Sequence, residues 1–271
     1  MLKLIKYDFM KVRSLIVIFG IIGLAINALL FIFYKLKESF DVSFLNNTVG
    51  ILVTFAVLFL FSLPVFILIV SIMLYSTDIS KKKGYMTFLT PHSAYAIIGS
   101  KIILSLIIMV CAVIVELLFI TVDFDLFFAS NDSELGIIYI ARVLFDALKK
   151  YPAQITLLLI TAIVQWVTNI LSFYVAIAIS YSIVRKGKIN TLVATGVWIG
   201  IVIIEGIIAQ VGSLVFPSFG LSFDANSTNT GLEAVIAFPT EVFIFSIIVY
   251  AVFGTVMYFV TSYLTEKKIS M

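Results

Sequence analysis

The sequence predicts an all-α integral membrane protein with six transmembrane helices, and three observations predict it. Hydrophobic residues make up 62% of the 271 residues and charged residues only 12%, against roughly 45–50% and 25% in ordinary soluble domains. The apolar residues gather into six runs of about 20 or more, the length a bilayer core requires. Nearly all the charge falls between those runs, and unevenly. Burial cannot absorb so much apolar surface, because a soluble fold of this size must still present a polar exterior. A hydrocarbon exterior removes that requirement.

The elements follow in order. Residues 1–13 carry Lys3, Lys6, Lys11 and Arg13, while Leu2, Ile5, Phe9 and Val12 share one helical face. This is the pattern of an N-terminal interfacial helix lying at the inner membrane surface. A signal peptide can begin the same way. The apolar run that follows is about twenty residues long and no A-x-A pattern closes it, so it reads as a retained first span. The six spans are expected at 15–34, 51–75, 102–122, 155–183, 191–212 and 240–263, in a single transmembrane domain covering 1–271. The fourth is longer than a bilayer needs, so it is tilted or begins outside the hydrocarbon.

Orientation comes from the asymmetry of Lys and Arg, which accumulate in cytoplasmic connections. With the N-terminus in the cytoplasm, the inner side holds Lys3, Lys6, Lys11, Arg13, Lys81, Lys82, Lys83, Lys101, Arg185, Lys186, Lys188, Lys267 and Lys268. The outer side holds only Lys35, Lys37, Arg142, Lys149 and Lys150. Both termini are therefore expected to be cytoplasmic. The outer segment 134–151 reads as an amphipathic helix lying flat on the membrane, and 213–239 as a connection that mixes apolar runs with Pro217, Gly220 and Pro239.

Several chemistries are excluded. No G-x-x-x-x-G-K-[ST] phosphate loop occurs. His92 is the only histidine and Cys111 the only cysteine, so neither a His-based triad, a Cys-held zinc nor an internal disulfide can be assembled. No enzyme activity, resident cofactor or metal is expected. A net charge of +3 gives no reason to expect nucleic acid as a partner; membrane lipid is the expected one.

Three constellations could carry function. In the inner connection, Lys81, Lys82 and Lys83 are followed by Gly84, Tyr85, Met86, Phe88 and Leu89. Such an apolar cluster must pack on something, either a partner or the membrane interface, and Thr90–Pro91 reads as the start of a short helix. In the fourth span Thr161, Gln165, Thr168, Asn169 and Ser172 recur at three- and four-residue steps and so share a face. That face is suited to an aqueous path or to interhelical hydrogen bonds. Glu116 and Glu205 are the only carboxylates well inside spans, where charge is costly. Each is a contact for substrate or a coupled proton, or else a carboxylate that snorkels or pairs with an outer cation. Gly196 and Gly200 form a G-x-x-x-G pattern that permits close helix approach.

These residues also carry a family resemblance. The basic helix KLIKYDFMKVRS before the first span, the stretch GYMTFLTPHSAYAIIGSK and the segment YVAIAISYSIVRKGK resemble type-2 ABC transporter permeases, in the order and spacing of all six spans. Gly84, Tyr85, Leu89, Thr90, Pro91, Ser93, Ser100 and Lys101 match the family's inner-loop pattern, in which a Ser-Lys opens the third span. At the turn this chain has Leu-Thr-Pro-His where the family has a plainer Leu-Pro. The resemblance implies a multi-pass subunit of a bacterial plasma-membrane exporter, paired with a second copy or a related permease. It implies separate ABC ATPase subunits that carry ATP and Mg. Lys81, Lys82, Lys83, Gly84, Tyr85, Phe88, Leu89 and Pro91 would then form the ATPase-coupling loop, with its short cytoplasmic coupling helix. Two other readings stay open: a non-pumping immunity or sensor protein that binds a peptide or lipid, and an ion-coupled secondary transporter using Glu116 or Glu205.

Overall fold

A computed structural model describes residues 2–39, 43–80, 93–128, 142, 145–146, 148–183, 188–215 and 240–266. Its elements are α1 (Leu2–Ser39), α2 (Ser43–Ser80), α3 (Ala94–Phe128), α4 (Pro152–Ile183), α5 (Lys188–Val215) and α6 (Thr240–Leu264). No strand occurs among the described residues. All six helices are long and apolar enough to cross a membrane, over Lys3–Phe33, Val53–Ile79, Ala94–Phe119, Pro152–Ile183, Asn190–Gly212 and Thr240–Leu264. Each coincides with one of the six apolar runs of the sequence.

The helices outrun the runs, for local reasons. The basic residues of 1–13 and the first span belong to one uninterrupted helix of 38 residues, about 57 Å long. α3 begins at Ala94 rather than near 102, because the Ser93 hydroxyl accepts the Ala96 N–H (3.3 Å) and its carbonyl takes the Ile97 N–H (3.2 Å). A serine N-cap satisfies donors that the first turn cannot. Ser100 and Lys101, expected to open the third span, therefore lie well inside the helix. α4 begins on Pro152, whose missing N–H costs nothing at a first helical position, and Ile155 N–H closes the first turn on Tyr151 O at 3.1 Å. α2 contains Pro64, which removes one bond from the ladder; Ser62 Oγ donates to the nearby Phe59 carbonyl at 2.7 Å. The coupling loop and its helix fall outside the described residues, as do most of 134–151 and all of 216–239.

The chain divides into two compact units, 1–74 with 103–146 and 75–102 with 147–271. In the first, α1 meets α2 through stacked rings. Phe19 lies 4.8 Å from Phe59 and 4.0 Å from Phe66, centroid to centroid. Gly23 allows this approach, since a Cβ there would lie 2.6 Å from the Phe59 ring. Leu30 and Ala56 form a second small core with Ile26 and Val53. α2 and α3 are tied by the buried hydroxyls of Ser71 and Ser105, 2.8 Å apart.

In the second unit α4 packs along α6 and, less extensively, along α5. Gly254 of α6 faces Thr168 of α4 so closely that a Cβ would meet its Oγ1 at 3.0 Å. Thr168 Oγ1 lies 2.9 Å from both the Val164 and the Tyr250 carbonyls, so its single proton is shared between its own helix and α6. Phe173 and Trp198 stack at 4.8 Å between α4 and α5, and Tyr258 OH donates to Tyr95 O at 2.9 Å.

Polarity is inverted relative to a soluble fold. Asp78, Lys101, Ser105, Thr168, Ser180, Asn190 and Thr261 are buried, while Val17, Ile21, Leu58, Phe61, Ile114 and Ile203 are exposed. That distribution fits a multi-pass membrane protein, where apolar side chains meet lipid and polar ones seek each other.

Candidate functional site

The second unit holds the most concentrated buried polar chemistry, where the last turns of α2 meet the start of α3. Lys101 Nζ donates to Asp78 Oδ2 at 2.6 Å, with side-chain exposures of 0% and 4%. Two buried charges persist only when paired and hydrogen-bonded, because each has surrendered its hydration. One turn before Asp78, the Tyr75 ring stacks on Tyr174 at 4.3 Å. Its hydroxyl lies 2.9 Å from Thr265 Oγ1. Thr265 already donates to Thr261 O at 2.7 Å, which leaves Tyr75 as the donor. Parts of α2, α3, α4 and α6 thus converge on one dry polar knot. Beside it in sequence, Ser180 near the end of α4 hydrogen-bonds the Asn190 side-chain oxygen at the start of α5.

Geometrically the knot is a clasp. Asp78 and Lys101 flank the connection 81–93 and close its base, so that α2 and α3 are held together where that connection begins and ends. The clasp's capability is mechanical: a displacement applied to the connection acts on both helices together.

By sequence Lys101 belongs with the inner cations, and nothing in the apolar runs singles out Asp78. A signal existed: an acid three residues beyond one apolar run and a base just before the next are well placed to meet if both helices extend past their runs. What hid it was the start of α3, which the hydrophobic run alone puts too late.

The predicted residues are distributed as follows. Lys81, Lys82, Lys83, Gly84, Tyr85, Phe88, Leu89 and Pro91 lie outside the described residues. Glu116 belongs to the first unit, and Gln165, Asn169, Ser172, Gly196, Gly200 and Glu205 to the second. The polar face of α4 turns much of its capacity inward on its own helix: Thr161 Oγ1 donates to Leu157 O at 2.7 Å and Ser172 Oγ to Asn169 O at 2.7 Å. Gln165 Nε2 reaches Tyr250 OH at a long 3.4 Å, and Tyr250 lies within electrostatic reach of Glu205. Glu205 Oε1 is buried without a hydrogen-bond partner among the described residues. Among the described residues, Gly196 and Gly200 make no close helix approach, since a Cβ at either meets nothing within 4 Å. Close approach occurs instead at Gly23, Gly212 and Gly254, where single glycines face a phenylalanine ring or Thr168.

The architecture defines the class: a helical, multi-pass membrane protein. Compared with protein families, curated proteins and solved structures, the chain matches none.

Proposed function

We propose that this chain is the membrane-spanning permease subunit of an ABC exporter, driven by ATP that separate ATPase subunits hydrolyse. One observation supports the reading above others, the Asp78–Lys101 clasp at the base of the connection 81–93. A motor that docks on a loop moves spans only if the loop's two ends are rigidly tied to them. An ion pair held out of water is such a tie, because pulling it apart exposes two desolvated charges. The lysines and aromatics of 81–89 have the make-up of a docking surface, with apolar anchors inside a charged rim. In this arrangement both termini and the connection face the cytoplasm, the basic first turns of α1 mark its cytoplasmic end, and a second copy or a related permease completes the path. The membrane is a bacterial plasma membrane.

The test replaces Tyr85, Phe88 and Leu89 with Ser in the full chain and purifies it from its native membrane. The expected result is loss of the co-purifying ATPase with the spans still folded. Undiminished ATPase association would defeat the docking idea.

A second reading, ion-coupled transport, is favoured by the unpartnered Glu205 oxygen. It requires that Glu205→Gln abolish proton flux into liposomes carrying this chain alone. Flux that survives the change removes Glu205 from any such role.

A further inference from the structure

Within the first unit lies an elongated cavity of about 210 Å³ with an almost wholly apolar lining. Phe9, Ile16 and Gly20 line it from α1, Phe66 from α2, and Cys111 and Phe119 from α3. We infer that it holds one acyl chain of an anionic phospholipid, whose headgroup is bound by Lys6 and Arg13. The inference rests on membrane placement alone and not on the pump reading.

Four observations converge. The first is length. The lining residues of α1 run from Phe9 to Gly20 and those of α3 from Ile107 to Phe119, about 16 and 18 Å of helix. That is close to half of a hydrocarbon core of about 30 Å. A modest volume drawn out over such a length is a slot rather than a bowl, shaped for a chain and not for a compact ligand.

The second is access. Phe9 of α1 and Ile107 and Val115 of α3, which line the slot, are exposed. The slot therefore opens through apolar walls, where lipid tails are the surrounding medium. The third is real vacancy at the wall. A Cβ added to Gly20 meets nothing within 4 Å, whereas three residues on, at Gly23, it would collide with Phe59.

The fourth is charge. Lys6, Phe9, Arg13, Ile16 and Gly20 follow one another at steps of three and four, so they form a single stripe on α1. Both cations are exposed; Lys6 precedes the first lining residue, Phe9, and Arg13 lies alongside the slot between Phe9 and Ile16. Side chains on a helix lean toward its N-terminus, and long basic ones extend their charge to the interface. Lys11, by contrast, is paired with the buried Asp8 at 3.1 Å and stands off this stripe. A phosphate held by Lys6 and Arg13 and a chain in the slot satisfy both halves of the site.

The test reconstitutes the full chain in phosphatidylcholine nanodiscs containing phosphatidylglycerol with a diazirine on one acyl chain, then maps photo-adducts by mass spectrometry. Adducts should concentrate on the slot, at Cys111 and its neighbours on α3. Gly20→Phe adds a ring at this open wall and should cut their yield roughly fivefold or more, whereas Ile18→Phe, on the opposite face of α1, should not. Lys6→Gln with Arg13→Gln should lower the preference for phosphatidylglycerol over the same probe on phosphatidylcholine by roughly fivefold per charge removed. Adducts spread evenly over exposed apolar residues and unchanged by Gly20→Phe would overturn the site. So would rapid Cys111–Cys111 disulfide formation between copies in lipid, which would make a second chain the occupant.

Discussion

Lys101 is the residue on which the second unit is most exposed to single changes. Its ammonium is buried and forms an ion pair with the Asp78 carboxylate at 2.6 Å. Removing one member of a buried pair strands the other, at a cost of about 3–5 kcal/mol, whereas replacing both with apolar groups of similar volume is often neutral. Lys101→Met should therefore lower the melting temperature in detergent by roughly 10 °C. Asp78→Leu combined with Lys101→Met should recover most of that loss. Equal losses in the single and double variants would show that the pair is not the stabilising unit. Tyr75→Phe is a milder test of the same knot. It removes a donor from Thr265 while keeping the stack on Tyr174, so a loss of about 1 kcal/mol is expected.

At the scale of helices, glycines sort into those that meet a neighbour and those that do not. Gly254→Leu must push α6 away from Thr168 and disturb the hydroxyl shared with Tyr250 O, so a loss of about 1–3 kcal/mol is expected from overpacking. Gly196→Leu and Gly200→Leu point into open space within this chain and should leave its thermal stability unchanged or slightly higher, because leucine is the better helix former. If a second copy packs on that face, the same two changes should abolish chemical cross-linking between copies while the monomer melts normally.

This contrast shows what the sequence could and could not convey. Six helices were legible because hydrocarbon thickness fixes how long an apolar run must be, and each run proved to be a helix. Their ends were less legible, because Ser93 and Pro152 set the starts of α3 and α4 by capping geometry rather than by hydropathy. The polar face of α4 was also readable from spacing. Its partner was not, since periodicity says which residues share a face but not which helix lies opposite. Thr168 turned out to bridge to α6, and much of the remaining face bonds its own backbone. The Gly196–Gly200 spacing points to α5, yet among the described residues close approach belongs to isolated glycines that no pattern marks. Asp78 and Lys101 lie 23 positions apart in sequence, and only the hairpin brings them together.

For the molecule as a whole, the governing fact is inverted polarity. In the membrane-spanning stretch Asn190–Gly212 of α5 none of the most apolar window is buried, so the stretch would face water along its length in a soluble setting. At the same time a lysine, two aspartates and a row of hydroxyls are buried. Hydrocarbon outside makes both arrangements favourable at once, and the proposed pump, the lipid slot and the clasp all presuppose it. The most direct test is topological. In a Cys111→Ala background, cysteines placed singly at Ser93 and at Lys150, both exposed, are probed with a membrane-impermeant maleimide in right-side-out and inside-out vesicles. The account predicts that position 150 labels only in right-side-out vesicles and position 93 only in inside-out ones. Labelling of both positions from the same side would contradict it.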